Sequence, residues 1–144
     1  MLLCDRAFAG ADTLATSYAL SLAIKRLCPD FVFCGRQSVD GDTGQVGPSL
    51  AVRLEFSLVT NVMSLESAEN GLFYTDRSEN GGNISAPAVI TLEKSRRLRL
   101  PSIRSKIKPV ETLSANDINA DISLCGLKGS PTRVLKTFEN DSDR

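Results

Sequence analysis

The residues with the most chemistry in this sequence crowd into one stretch, Gly35-Arg-Gln-Ser-Val-Asp-Gly-Asp-Thr-Gly-Gln-Val-Gly47. Asp40 and Asp42 can accept hydrogen bonds from ribose hydroxyls, while Arg36 and Gln37 suit a phosphate or the edge of a heterocyclic ring. The glycines let backbone come close to a ligand, and N–H groups near a helix N-terminus bind phosphate oxygens. Gly and Asp are also ordinary turn residues, so a plain surface turn is the alternative. The stretch follows the apolar run 31–34 and leads into a helical apolar pattern through Leu50, Val52 and Leu54. Strand, glycine-rich polar loop, helix is a local design that holds nucleotides.

The same design occurs once before. Residues 1–4 read as the tail of a strand. Leu14, Tyr18, Leu20, Ala23, Ile24 and Leu27 then recur at helical spacing, which predicts a helix over 12–27. Asp12 or Thr13 is placed to cap it, Lys25 and Arg26 suit its C-terminal end, and Pro29 stops it. For Thr13, Thr16 and Ser17 the alternative to ligand contact is capping, or a hydroxyl bonded back to the helix. Residues 30–34 follow as a buried strand. This β-loop-α-β-loop-α order predicts an α/β fold with a mostly parallel sheet. Ligands sit at the C-terminal ends of such strands, so loops 8–16 and 35–47 should share one edge.

Composition narrows the chemistry. The 144 residues suit a single domain, 1–138, followed by a flexible polar tail, 139–144. Lysine plus arginine equals aspartate plus glutamate, 17 each, which argues against nucleic acid as partner. No histidine is present, so Ser-His-Asp and Cys-His catalysis and histidine-based metal sites are excluded. A hydrolase or ligase working through Asp40 and Asp42 also lacks a lysine in the loop. The four cysteines form no CxxC pair and read as buried thiols of a cytoplasmic protein. No apolar run is long enough to span a bilayer, and the first residues lack the pattern of a secretory signal.

Further along, a helix is predicted over 49–56 and strands over 58–65, 71–75 and 88–92, with polar residues 76–85 joining the last two. Glu79-Asn-Gly-Gly-Asn83 is a turn signal. Residues 93–108 are basic and read as a solvated or partner-facing segment. Residues 110–124 read as a strand and a short helix capped near Ser114, and 126–138 as a turn followed by an alternating strand.

Four segments together resemble the β subunit of electron transfer flavoprotein. They are Asp5-Arg-Ala-Phe-Ala-Gly-Ala-Asp-Thr-Leu-Ala-Thr-Ser-Tyr18, the stretch 35–48, Pro87-Ala-Val-Ile-Thr91 with Leu100-Pro-Ser-Ile103, and Gly126-Leu-Lys-Gly-Ser-Pro-Thr132. The resemblance implies a Rossmann-like (adenine nucleotide α-hydrolase-like) fold. It also implies a heterodimer with an α subunit that carries most of the catalytic FAD, and electron carriage rather than enzymatic acid–base catalysis. The β subunit would bury AMP, or a second FAD in electron-bifurcating members. Its nucleotide residues would be Gly35, Arg36, Gln37, Asp40, Asp42, Thr43, Gln45 and Gly47.

The first loop resembles the bifurcating type, in which Asp12, Thr13 and Thr16 would contact a second flavin that takes hydride from NADH. Leu92 falls at the leucine that anchors an acyl-CoA dehydrogenase-type partner. The family's Asn-x-Pro-Arg reads Glu93-Lys-Ser-Arg-Arg97 here, and the family's opening strand is absent, so the fold is expected to be N-terminally truncated. Weak nucleotide binding and low stability of the isolated chain follow from that expectation. The alternative function is an AMP-binding structural or regulatory module with no redox role.

Overall fold

The computed structural model describes residues 1–39, 41–76, 78–93, 102, 104 and 109–136. Asp40, most of the basic stretch 93–108 and the tail 139–144 lie outside the described residues. The fold is mixed α/β, with a five-stranded sheet in the order β2-β6-β3-β4-β5 and two helices. The strands are β2 (Phe31–Gly35), β3 (Ser57–Ala68), β4 (Gly71–Asp76), β5 (Gly81–Ile84) and β6 (Ala88–Leu92). β6 pairs in parallel with both β2 and β3, while β3-β4-β5 is an antiparallel meander. A second parallel pair joins β1 (Leu2–Leu3) to β7 (Thr112–Leu113).

β6 is central, and Ala88, Val89 and Ile90 are fully buried. That explains its apolar run Ala88-Val-Ile90, since both faces of the strand need cover. Val89 joins Leu50, Ala51 and Leu54 beneath the helices. Ala88 and Ile90 join Val62 and Ile84 on the opposite face, with Phe31, Leu65 and Tyr74 packed around them. β2, expected to be buried, pairs among the described residues with β6 alone, so it is an edge strand with Phe33 51% exposed.

Helix α1 (Thr13–Leu27) runs as predicted, but the face it buries is its small one: Ala15, Ala19 and Ala23, with Ser17 and Ser21. Leu20 and Ile24 pack with α2 (Val46–Leu54), while Leu22 and Ala23 pack beside Leu113 and Ile118. A helix gripped from two sides needs small residues where backbones come close. Cys28 takes the left-handed C-cap at φ 47°, ahead of Pro29.

α2 begins at Val46 rather than at residue 49, because Pro48 falls in its first turn, where no N–H partner is needed. It ends before Phe56 because Glu55 turns left-handed at φ 60°. β5 lies within the segment expected to be only a connection. The helix expected after Ser114 is instead a run of turns followed by a 3-10 turn, Ile122–Leu124, capped by Asp121. Residues 131–136 form no strand, having no neighbour to pair with among the described residues. Of the four cysteines, all free, only Cys125 is buried; Cys34 is half-buried and Cys4 and Cys28 are exposed. Side chains at Cys4 and Cys28 follow element ends, where apolar context in sequence does not become burial.

Candidate functional site

β2 and β6 end side by side, with Gly35 opposite Leu92. The polar loop leaves from this point and returns to the first turn of α2. A cleft of about 570 Å³ opens beside it, between Phe33, Cys34 and Arg36 on one side and Leu92 and Glu93 on the other. Burial pushes the Cys34 thiol pKa up, so it faces the cleft as a neutral group. The two sequence-predicted loops do meet: the Thr13 hydroxyl donates to Gln45 Oε1 at 3.3 Å.

The loop is tied to itself. Arg36 Nε donates to Gln37 Oε1 at 3.0 Å, and Gln37 Nε2 donates to Asp42 Oδ1. The Asp42 N–H donates to the Ser38 carbonyl at 3.0 Å. Gly44 adopts φ +63°, a conformation that favours glycine. Gly35 has open space where a Cβ would stand. Gly47 differs, since a Cβ there would lie 2.5 Å from Thr91 Cγ2. Its missing side chain seats α2 on β6. Thr43 is exposed and Thr16 half-buried; the Thr16 N–H closes the first turn of α1 on the Asp12 carbonyl.

Asp12 is the most occupied of these groups. Oδ1 accepts from the N–H groups of Leu14 and Ala15, which caps α1. Oδ2 accepts from the N–H and hydroxyl of Thr132, and the Asp12 N–H donates to Ser130 Oγ at 2.8 Å. Burial raises the Asp12 pKa, but these donors, Ala15 and Thr132 foremost, outweigh it and hold the carboxyl below its ordinary value. Ser17 shows the alternative weighed for the hydroxyls, donating back to the Leu14 carbonyl at 3.0 Å.

The residues missed from sequence are Ser130 and Thr132, which close segment 126–132 onto α1, and Glu93, which receives Arg36. Segment 126–132 is visible as a motif, but which helix it grips is a tertiary fact. α2 starts without a side-chain cap, for Gln45 is in the right-handed helical region and makes no cap hydrogen bond. Among the described residues the N–H groups of Val46 and Gly47 have no protein acceptor. Such a helix end carries partial positive charge.

The architecture is therefore that of an α/β domain with two polar loops joined at the C-terminal edge of its parallel strands. The chain belongs to the electron transfer flavoprotein domain family, whose model matches residues 1–118. It is similar to the electron transfer flavoprotein subunit beta of Thermoanaerobacterium thermosaccharolyticum, 43% identical over 99% of this chain and 58% of that protein. It is also similar to protein FixA of Azorhizobium caulinodans, 40% identical over 96% and 55%. A third relative is the subunit beta of Clostridium acetobutylicum, 43% identical over 95% and 56%. The chain thus spans about half the length of the curated relatives it matches. Among the described residues no helix is long and apolar enough to cross a membrane.

Proposed function

We propose that this chain serves as the β subunit of an electron transfer flavoprotein, holding an adenine nucleotide at the joined loops and pairing with an α subunit. The observation that carries the reading is the Thr13–Gln45 contact, which brings the two polar loops together in front of an uncapped helix end. The N–H groups of Val46 and Gly47, without an acceptor among the described residues, suit a phosphate, and Thr13, Thr43 and Gln45 border that end. Arg36, Gln37 and Asp42 then serve the ribose and base, with Gly35 leaving room at the strand end; Asp40, outside the described residues, is assigned with them from the sequence pattern alone. The nucleotide is AMP, or the AMP half of an FAD in the bifurcating form, to which Asp12, Thr13 and Thr16 belong. A flavin bound here would supply the redox chemistry; the chain's own residues bind and orient it.

The complex carries electrons from dehydrogenases, NADH among the donors in the bifurcating form, to downstream acceptors, and Leu92 is where a partner dehydrogenase docks. Co-expression with an α subunit tests this. A yellow complex is expected, with about two flavins per heterodimer for the bifurcating form and about one, plus AMP, for the other, because each buried cofactor fills its own pocket. A colourless complex that retains AMP would replace this reading with a structural, AMP-binding role.

A further inference from the structure

Glu93 follows β6 directly, and its N–H donates to the Val62 carbonyl at 2.9 Å, so its backbone is pinned to the middle of the sheet. Its side chain is only 12% exposed, yet it makes the one ion pair among the described residues. Arg36 Nη1 lies 3.2 Å from Oε1 and 3.4 Å from Oε2. From Arg36 the contacts run through Gln37 to Asp42, across the polar loop. A loop of small polar residues has little apolar surface of its own to fix it. We propose that Glu93 is the positioning residue of the 35–47 loop. Anchored on the sheet, it holds Arg36, and through Gln37 it holds Asp42 in the arrangement that receives the nucleotide.

The inference rests on the nucleotide reading above for its purpose, but the order of the loop is a property of the free chain. Preorganising a loop raises affinity by removing the ordering cost from the binding step. A carboxylate on a rigid strand suits that role better than one on the loop itself. Glu93 also lines the cleft, but among the described residues its side-chain contact with the loop is to Arg36.

Amide hydrogen exchange on the free chain, with titration by AMP, provides the test. Glu93→Gln should raise exchange at Gly41 and Asp42 about threefold to tenfold, the range for one partly exposed charged contact, and leave α1 unchanged. Arg36→Gln, on the exposed side of the pair, should give the same rise, and the double variant no more than either single one. Glu93→Asp, which keeps the charge, should remain within about twofold of the parent. In Glu93→Gln, AMP affinity should fall by the same factor as exchange rises. Unchanged exchange in both Glu93→Gln and Arg36→Gln would overturn the proposal whatever AMP does. Raised exchange in a chain that binds no AMP would uphold the positioning and overturn the nucleotide reading instead.

Discussion

Asp12 and Thr132 stand 120 residues apart in sequence and share one carboxylate oxygen, Asp12 Oδ2, as the acceptor of both Thr132 donors. The other oxygen caps α1. One side chain thus starts the helix and fastens the far end of the chain across it.

Replacing Asp12 should therefore cost more than an ordinary cap. Asp12→Ala is expected to lower stability by about 1–2 kcal/mol from the cap alone, with the Thr132 tether lost in addition. Thr132→Val removes only the hydroxyl half of the tether, leaving the Thr132 N–H on Asp12 Oδ2, and should cost less. Urea unfolding of the two variants measures both; equal losses would show that the cap carries nothing.

Acid should weaken the fold through the same kind of contact. Asp5, Asp12, Asp117 and Asp121 all have pKa values lowered from 3.8. At Asp5 the cause is the N–H groups of Ala7 and Ala115; at Asp117 and Asp121 it is the hydroxyl and N–H of Ser114 and of Ser123. A carboxyl whose pKa is lower folded than unfolded stabilises above the unfolded value, and that contribution is lost as pH falls through the folded value. Thermal unfolding should be level between neutral pH and about 4 and decline below it, less steeply in Asp12→Asn.

The seat of α2 on β6 gives a steric test. Gly47→Ala places a methyl against Thr91 Cγ2 and should cost about 1–3 kcal/mol. Thr91→Ser removes that methyl and keeps the hydroxyl that accepts from the Asn61 N–H at 3.1 Å. Combined, the two substitutions should recover much of the loss. Gly35→Ala, in open space, should stay within about 0.5 kcal/mol of the parent. Chemical denaturation of the four proteins distinguishes these outcomes.

Local rules were enough for much of this molecule. α1, β2, β6 and the polar loop are all written in periodicity, caps and glycine placement, and so is the meeting of the two loops. What lay beyond reach depends on residues distant in sequence. β2 reads as buried because it is apolar, yet nothing local tells that only one of its edges is paired. Gly47 reads as a ligand-approach glycine, while the neighbour that needs the space is Thr91. Leu14 and Leu27 fit the helical stripe but are exposed, because two-sided packing selects the alanines of α1 instead. Glu93 in sequence is one charge at the start of a basic run. Only the strand register makes it the partner of Arg36.

That register also governs the order in which the molecule assembles. The β3-β4-β5 meander joins neighbours in sequence, so its loops close early and at small entropic cost. The β2–β6 ladder, whose ends carry Arg36 and Glu93, must bring together residues 57 apart. The polar loop leaves the end of one of the two strands that meet late, and the part of the chain that receives a ligand is among the last to acquire its shape.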